Sequence, residues 1–573
     1  MREQSTTNGR TQNHRLGPVR RATEQLLDNI DPVSFGRSLV ATAVGLARHP
    51  LSAFSAYQHF ALSALSAAQA VAGRAIGQKF QGPLAPGAKD RRFADPAWND
   101  SALFFALQQG HLLRERLAGE LVDAAGLDAQ TAKKARFVVQ LIMDSLAPTN
   151  YLLTNPVAMR RAFETGGTSV LRGVRNLAND IRLRRGWPKQ VDASGFQVGK
   201  NLATTPGKVI YRNDLFELMQ YAPQTATTFE TPLLCSPPWI NKFYIMDLAP
   251  GRSFIEWAVK HGHTTFAISY KNPDASMRNV AFDDYLVRGL YEAVRIVREI
   301  TGKPKINVVG LCLGGTLTTM LLAYLAEVRR DWVHSATLLN TLVDFSEPGP
   351  IGAFIDPKAI DVLVRKVEKR GYIGAEDMAR TFSLLRANDL VFGYITKNWL
   401  MGEEPPAFDL LAWNSDSTRL PAKMYTSYLR SCYQDNLLAR GEMVIAGKKL
   451  RPSHIKQDVF ILAAIEDHIA PWRSSYKTTQ LWGGRVHFVL SSSGHIAGIV
   501  NPPSKTAIYW TNDKLTSDPD EWQAKAVKHT ETWWEEWARW IGKRAGAHQS
   551  PPPIGSKAFG PLGDAPGTYV HTK

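Results

Sequence analysis

A cysteine stands in a glycine-rich turn between an apolar run and a helical pattern. The β-branched run that starts at Ile306 leads into Gly310-Leu311-Cys312-Leu313-Gly314-Gly315. Glycines two before and two after a nucleophile allow the strained backbone of a nucleophile elbow and let strand and helix approach closely. A helix that begins beneath Cys312 favours the thiolate. The motif predicts a nucleophilic cysteine, although a buried cysteine in an ordinary strand–turn–helix crossover would give the same letters.

A nucleophilic cysteine needs a base and an orienting acid, and two later loops supply them in the order nucleophile, acid, base. Asp467 follows the apolar run 459–465, and His495 follows the next run, 486–490, on a turn that contains glycine. Loops at the ends of neighbouring strands bring such side chains together. The sequence therefore predicts a triad of Cys312, Asp467 and His495.

Two neighbours of Asp467 compete for these roles. His468 is the alternative base, and Glu466 is the alternative acid. Asp467 cannot easily both precede His468 directly and orient it, so we favour the pair formed with His495.

An oxyanion hole in this arrangement takes one N–H from the residue after the nucleophile, which is Leu313. A second N–H is expected from the loop after an earlier strand, and the segment 236–242 fits that place. Its two prolines lack an N–H. Trp239 and Ile240 are therefore the earliest candidates for the second donor.

Short β-branched runs alternate with helical stretches beyond residue 195. This alternation predicts an α/β fold with a mostly parallel sheet covered by helices on both faces. The predicted strands are 208–212, 232–235, 264–270, 306–312, 335–343, 459–465 and 486–490, and the clearest predicted helices are 282–300 and 317–328. In the last helix Trp533, Trp537 and Trp540 share one face, which is typical of a core stripe.

The chain divides into two predicted domains. Residues 1–194 are expected to form a mainly helical N-terminal domain, with about 1–25 disordered, and 195–573 a catalytic domain. The helical segment within 35–80 fits either packing on the body of the protein or association with a surface. The aromatic-rich insertion of about 345–456 is typical of a cap over an active site, and an additional packed subdomain is the alternative.

Composition restricts the compartment and the partners. The 573 residues are 44% hydrophobic and 21% charged, as in a folded protein, and the formal net charge is +16. Such a charge suits an anionic partner, but no Lys/Arg block or RNA-binding motif is present, so we expect no nucleic acid. No apolar run reaches the ~20 residues of a membrane-spanning helix, and residues 1–21 do not resemble a signal peptide. We expect a cytoplasmic protein without a transmembrane segment.

Three cysteines, Cys235, Cys312 and Cys432, argue against a disulfide framework and for a reducing compartment. Their spacing does not fit a metal site, and we expect no metal and no cofactor. A thiol nucleophile suits exchange with thioesters, because the acyl group stays reactive toward a second nucleophile. This chemistry favours acyl transfer from coenzyme A thioesters over ester hydrolysis, and the basic charge suits the phosphates of such a ligand.

Ten stretches of the sequence together resemble the polyhydroxyalkanoate synthases, from about residue 90 to the end. Within that family the chain is most similar to class I, the single-subunit enzymes that use short-chain substrates such as 3-hydroxybutyryl-CoA. The resemblance implies an α/β-hydrolase fold. The stretches are 93–98, 147–150, 237–243, 272–277, 310–316, 408–411, 413–414, 467–472, 494–498 and 565–567.

The resemblance also implies roles and partners. Cys312 would carry the 3-hydroxyacyl group and the growing chain, and His495 would deprotonate the thiol. Asp467 would help activate the attacking 3-hydroxyl, either directly or by orienting His495. The family further implies a homodimer, growth at the surface of a polyester granule, and phasin-like granule partners.

Two other functions remain open at this point. A CoA-thioester hydrolase would use the same triad and release monomeric acid. A non-catalytic granule-coating protein would rely on the N-terminal helices, but a complete cysteine–aspartate–histidine order argues against it.

Overall fold

The computed structural model describes residues 32–573, so the segment of about 1–25 that is expected to be disordered lies outside the described residues. The chain forms two compact units. The first contains the described residues through Gln190 together with Arg386–Pro405, and the second contains Val191–Leu385 and Pro406–Lys573. Residues 386–405, which lie inside the predicted cap, therefore group with the helical unit.

The first unit is built from helices whose starts follow local sequence signals. The Asp128 carboxylate accepts hydrogen bonds from two N–H groups of the helix that follows it, and Asn155 does the same for a helix with proline at its first position. The helices are α1 (Pro32–Arg48), α2 (Pro50–Ala75), α3 (Ala97–Asp100), α4 (Ala102–Ala124), α5 (Ala129–Ser145), α6 (Pro156–Glu164) and α7 (Thr168–Arg184), and the π-helical segments are Asn388–Phe392 and Ile395–Leu400.

Specific hydrogen bonds join 386–405 to the helical unit. The Trp399 indole N–H donates to the buried Asp180 carboxylate at 2.8 Å, and the Asn398 amide donates to the Lys189 carbonyl at 2.7 Å. Both anchoring side chains come from one short π-helical segment. These contacts between distant parts of the chain explain why residues 386–405 group with the helical unit.

An eleven-stranded sheet forms the centre of the second unit, in the order β15-β14-β13-β12-β7-β6-β4-β5-β2-β1-β17. The six strands from β13 to β5 are parallel to one another, and the outer strands are antiparallel. The strands are β1 (Gly207–Arg212), β2 (Phe216–Tyr221), β3 (Thr228–Phe229), β4 (Leu233–Ser236), β5 (Thr265–Tyr270), β6 (Ile306–Leu311), β7 (Val333–Leu339), β8 (Tyr372–Ile373), β9 (Leu420–Pro421), β10 (Val444–Ile445), β11 (Lys448–Lys449), β12 (Asp458–Ala464), β13 (Val486–Ser491), β14 (Tyr509–Thr511), β15 (Val527–His529), β16 (His548–Gln549) and β17 (Gly563–Asp564).

All seven predicted strands are present, with ends that move by a few residues. The helices of this unit are α8 (Phe254–Lys260), α9 (Phe282–Asp284), α10 (Glu292–Thr301), α11 (Leu313–Glu327), α12 (Pro357–Arg370), α13 (Ala375–Leu384), α14 (Asp409–Ser415), α15 (Ala422–Ser427), α16 (Trp472–Leu481), α17 (Pro519–Ala524) and α18 (Trp533–Gly542), with π-helical segments at Tyr285–Tyr291 and Tyr428–Gln434. Among the helices of residues 32–573, none combines the length and the apolarity that a bilayer span requires.

Successive residues of the central strand β6 point into two different cores. Ile306 and Val308 belong to the apolar cluster on one face of the sheet, and Val309 and Leu311 belong to the cluster on the other. A strand buried on both faces must be apolar at nearly every position, which is why this run has no polar alternation.

The tryptophans of α18 are buried, as expected for a core stripe. Trp533 and Trp537 are inaccessible to solvent, and Trp540 is nearly so. The indole N–H of Trp537 donates to the Thr337 hydroxyl of β7 at 3.0 Å, so even its polar atom has a partner.

Gly314 and Gly315, at the start of α11, lie close to Ser236 of β4 and to Thr341 of the loop after β7. A Cβ on Gly314 would lie 2.0 Å from the Ser236 carbonyl oxygen, and one on Gly315 would lie 2.0 Å from the Thr341 hydroxyl. Backbone atoms cannot move away as a flexible side chain can. The first turn of α11 is therefore restricted to glycine at position 314.

We predict that Gly314→Ala lowers the free energy of unfolding by about 1–3 kcal/mol, because Ser236 and its strand must shift. Urea denaturation of the full chain measures the change. Gly542→Ala is the matched control, since a Cβ there meets nothing within 4 Å. Equal stability of the two variants would contradict the packing described for Gly314.

Candidate active site

Cys312 occupies a strained turn between β6 and α11. Its backbone has φ 51° and ψ −119°, a conformation that a residue with a side chain rarely adopts. The Cys312 N–H donates to the Leu339 carbonyl at 2.8 Å, and its carbonyl accepts from Gly315 and Thr316 at 2.9 and 3.1 Å. These bonds to both neighbouring elements hold the turn, which gives the geometry of a nucleophile elbow.

Asp467 and His495 form a buried hydrogen-bonded pair. The His495 Nδ1 and the Asp467 Oδ2 are 2.6 Å apart, and the two side chains are 7% and 0% exposed. The second Asp467 oxygen accepts from the Ile469 and Ala470 N–H groups, both at 2.8 Å. The loops that carry the pair follow the adjacent parallel strands β12 and β13. Strand order therefore brings the acid to the histidine.

The backbone of the histidine loop is held from two sides. The Asn340 amide, just after β7, donates to the His495 carbonyl. The indole N–H groups of Trp533 and Trp534 donate to the Gly498 and Ile499 carbonyls at 2.8 and 2.9 Å. The tryptophan helix therefore fixes the loop that presents His495, a role that the core stripe alone did not indicate.

The electrostatics of His495 link the pair to the cysteine. Burial disfavours the charged imidazole, but the negative charges of Asp467 and Cys312, with hydrogen bonds to both side chains, outweigh burial and hold the pKa of His495 well above its ordinary value. The structure thus brings all three predicted residues together. Such an arrangement can hold a thiolate beside an imidazolium.

The alternative residues lie in different environments. Glu466 is exposed, and the carboxylate bonded to His495 is that of Asp467. Cys235 and Cys432 are fully buried, and burial raises the pKa of both thiols, whereas Cys312 is partly accessible. Their surroundings disfavour thiolate chemistry at those two cysteines.

The expected oxyanion donors lie beside the elbow. β4 pairs with β6 through Ser236 and Gly310, so the loop after β4 leaves the sheet next to Cys312. Among the described residues, no hydrogen-bond acceptor is recorded for the N–H groups of Leu313, Trp239 or Ile240. All three candidates are therefore available to an oxyanion.

Contacts from a later segment fix this loop and were not identified from the sequence. The buried Lys242 forms an ion pair with Asp416 at 2.8 Å, and its carbonyl accepts from the Trp413 indole at 2.8 Å. The Asn241 N–H donates to the Thr418 hydroxyl, also at 2.8 Å. Only the motif Trp413-Asn414 signalled this segment in the sequence, without indicating its partner.

A cavity of about 510 Å³ lies beside the anchored loop. Tyr244 and Asp416 line it, with Asn272 from the loop after β5 and the cation Arg419. Arg419 forms no ion pair within the described part of the chain, whereas Asp416 is paired with Lys242. Arg419 therefore gives the cavity a cation outside any described ion pair, and none of the three triad residues lines the cavity.

Comparisons with known proteins identify the family of this chain. The family model "Poly-beta-hydroxybutyrate polymerase (PhaC) N-terminus" matches residues 89–258, and the model "alpha/beta hydrolase fold" matches 241–502. A "Poly(3-hydroxyalkanoate) polymerase" of Methylorubrum extorquens is 41% identical over 85% of this chain and 82% of its own length. A "Poly(3-hydroxyalkanoate) polymerase subunit PhaC" of Cupriavidus necator is 41% identical over 86% and 84%. This chain belongs to the poly(3-hydroxyalkanoate) polymerase family.

The similarity to polymerases of this family extends over nearly the whole sequence. "Poly(3-hydroxyalkanoate) polymerase 1" of Ectopseudomonas oleovorans is 37% identical over 95% of both chains. The resemblance drawn from the sequence motifs is confirmed, and so is the α/β-hydrolase fold. The individual roles of Cys312, Asp467 and His495 stay predictions for this member of the family.

We predict that Asp467→Asn slows alkylation of Cys312 by iodoacetamide about tenfold near pH 7. The change removes the negative charge that raises the pKa of His495, so the imidazolium loses its proton at lower pH and Cys312 loses its cationic neighbour. The alkylation profile should move to higher pH, which mass spectrometry of the labelled peptide measures.

Asparagine keeps an oxygen for the Ile469 and Ala470 N–H groups, so the loop should stay folded. Glu466→Gln is the matched control, because it removes the adjacent exposed charge. An Asp467→Asn profile that overlays that of the control would show that Asp467 does not sustain the charge on His495.

Proposed function

We propose that this protein polymerises (R)-3-hydroxyacyl groups, supplied as coenzyme A thioesters, into polyhydroxyalkanoate with release of CoA. The observation that carries the proposal is the contact of Cys312, His495 and Asp467 at an elbow, in a chain of this family. The polymer product is inferred from the names of the relatives, and the reaction chemistry is inferred from the geometry of the site.

The first half of the reaction loads the enzyme. His495 takes the proton of the Cys312 thiol, and the thiolate attacks the carbonyl carbon of the acyl-CoA. The Leu313 N–H and an N–H of Trp239 or Ile240 stabilise the oxyanion. The CoA thiolate then leaves with the proton from His495, and the acyl group remains as a thioester on Cys312.

The second half forms the polymer bond. The 3-hydroxyl oxygen of one unit attacks the thioester carbonyl of another, while His495 accepts the hydroxyl proton. Collapse of the oxyanion makes an ester bond and releases a thiolate. This thiolate takes the proton from His495. Asp467 already has partners for both oxygens, which supports orientation of His495 over direct proton abstraction.

The proposal includes the substrate length and the setting. Resemblance to class I favours short acyl groups such as 3-hydroxybutyryl. We also propose a homodimer in the cytoplasm that works at the granule surface with phasin-like proteins, since the family resemblance implies these features. Activity with 3-hydroxyacyl-CoA substrates that have long side chains would contradict the class I assignment. It would leave the proposed mechanism unchanged.

The cavity beside the oxyanion loop suits the anionic part of coenzyme A. Arg419 is the candidate contact, because it lines the cavity and forms no ion pair among the described residues. Its Nη1 donates to the Pro273 carbonyl at 3.2 Å, which holds the side chain in place. Asn272 accepts from the Arg419 N–H at 2.9 Å and joins the two loops.

We predict that Arg419→Ala raises KM for 3-hydroxybutyryl-CoA about tenfold and changes kcat less than about twofold, because one charge-assisted contact to a phosphate is lost. Initial rates of CoA release measure both constants. Arg430→Ala is the control, as Arg430 pairs with Asp361 outside the cavity. Equal effects of the two variants would show that Arg419 does not contribute to the binding of CoA.

We predict that Cys312→Ala abolishes both CoA release and polymer formation, because no other described thiol is placed beside His495. A thiol assay and gas chromatography of the recovered polyester measure the two outcomes. Cys235→Ala, in the core of β4, should retain both. Normal polymer from Cys312→Ala would exclude Cys312 as the nucleophile, and monomeric acid from the unmodified enzyme would favour a hydrolase.

A further inference from the structure

Two tyrosines in the π-helical segment Tyr428–Gln434 share a hydrogen bond inside the protein. The hydroxyl oxygens of Tyr428 and Tyr433 are 3.0 Å apart, and the residues are 7% and 8% exposed. Their rings pack at 5.1 Å between centroids. A buried pair of hydroxyls in an otherwise apolar cluster requires a physical explanation.

This tyrosine pair is linked to the nucleophile through the ring of Phe345 and the loop that carries it. Phe345, on the loop after β7, packs its edge against both rings, with centroids 6.2 and 5.0 Å away. The same loop carries Thr341, whose hydroxyl donates to the Cys312 carbonyl at 3.2 Å. Cys312 itself packs against the apolar cluster that contains both tyrosines.

Electrostatics agree with that placement. Burial raises the pKa of both tyrosines, and the charge of Cys312 contributes to the increase at each. By contrast, Tyr425 belongs to the same cluster, and its pKa is raised by burial and by Asp377, with no contribution from Cys312. Of these three tyrosines, Tyr428 and Tyr433 are therefore the two whose pKa Cys312 contributes to raising.

The pair leaves one hydroxyl proton, that of Tyr433, without an acceptor among the described residues. Two hydroxyls carry two protons but make one hydrogen bond with each other, and no further acceptor is recorded for either among the described residues. The buried Trp239 indole N–H likewise has no partner in that part of the chain, and its ring lies 6.5 Å from that of Tyr428. A buried donor without a partner is energetically unfavourable, so these groups favour a ligand with acceptor oxygens.

We propose that the Tyr428–Tyr433 pair, with the Trp239 indole, binds the 3-oxygen of the acyl group and selects 3-hydroxyacyl thioesters over unsubstituted ones. This assignment rests on the proposed function. The carbonyl oxygen goes to the backbone N–H groups, so the 3-oxygen is the remaining polar atom of a short acyl chain. It is a hydroxyl in a newly loaded unit and an ester oxygen once the next unit is attached.

Selection by such a contact follows from hydrogen-bond energetics. A site that is built to bind a substrate hydroxyl rejects the analogue without it, because its own polar groups then stay unpaired. An acyl group without the 3-hydroxyl can load the cysteine but cannot extend the chain. Discrimination at the loading step therefore protects the enzyme from occupation by ordinary acyl-CoA.

The test compares loading of Cys312 by 3-hydroxybutyryl-CoA and by butyryl-CoA in single-turnover CoA release. Tyr433→Phe should reduce the preference for the hydroxylated substrate about tenfold, with loading by butyryl-CoA changed less than about threefold. Tyr428→Phe is the second variant, and it should act in the same direction. Tyr425→Phe is the matched control and should keep the unmodified preference.

Loading by butyryl-CoA also shows that each variant is folded. Equal slowing of both substrates in Tyr433→Phe and Tyr428→Phe, or an unchanged preference in both, would overturn the assignment, since either result indicates a purely structural pair. Unmodified protein that releases no CoA from either thioester would instead overturn the proposed function, and the tyrosine assignment with it.

Discussion

The active site depends on the backbone of Cys312, which is held at positive φ between a buried strand and a helix. Conformations of this kind cost about 1–3 kcal/mol and persist only where the surrounding structure enforces them. Here the enforcing contacts are the bonds to Leu339, Gly315 and Thr316, with glycine at 314 pressed against the neighbouring strand. The turn fixes the direction of the thiol and, in the same step, leaves the N–H of the next residue at the start of a helix.

The other two triad members are fixed by contacts that cross the fold. The Asp467 carboxylate is held by its own loop, whereas the His495 loop needs Asn340 from one strand end and two tryptophans from α18. Because the carboxyl ends of parallel strands meet at one edge, three loops that are distant in sequence converge there. The tryptophan helix therefore supports the core and the histidine loop together.

The proximity of Asp467 and His495, and seven of the eleven strands of the main sheet, could be predicted because their signals are local. β-branched runs, glycine spacing and loop order can be read directly from the sequence, and the ends of the seven predicted strands moved by only a few residues. Strand β2 was missed because Glu217 interrupts its apolar pattern. That carboxylate is fully buried, yet it is satisfied by Arg212 and by N–H groups of Thr568 and Tyr569. No local signal indicates partners about 350 residues away. The Lys242–Asp416 pair was missed for the same reason.

In the proposed mechanism, transfer to another hydroxyl and not to water depends on what can occupy the space beside the Cys312 thioester. His495 is 7% exposed, and the rings of Phe345, Tyr428 and Tyr433 pack in the cluster against Cys312. A water molecule needs two to four polar partners, and the polar groups of this cluster that we assign to the 3-oxygen are the Tyr428 and Tyr433 hydroxyls and the Trp239 indole N–H. An acyl chain that carries a 3-hydroxyl adds apolar surface that can pack against this cluster. Its oxygen needs fewer polar partners than a water molecule does. Aromatic packing and sparse donors thus favour chain growth at the same triad that could otherwise serve a hydrolase.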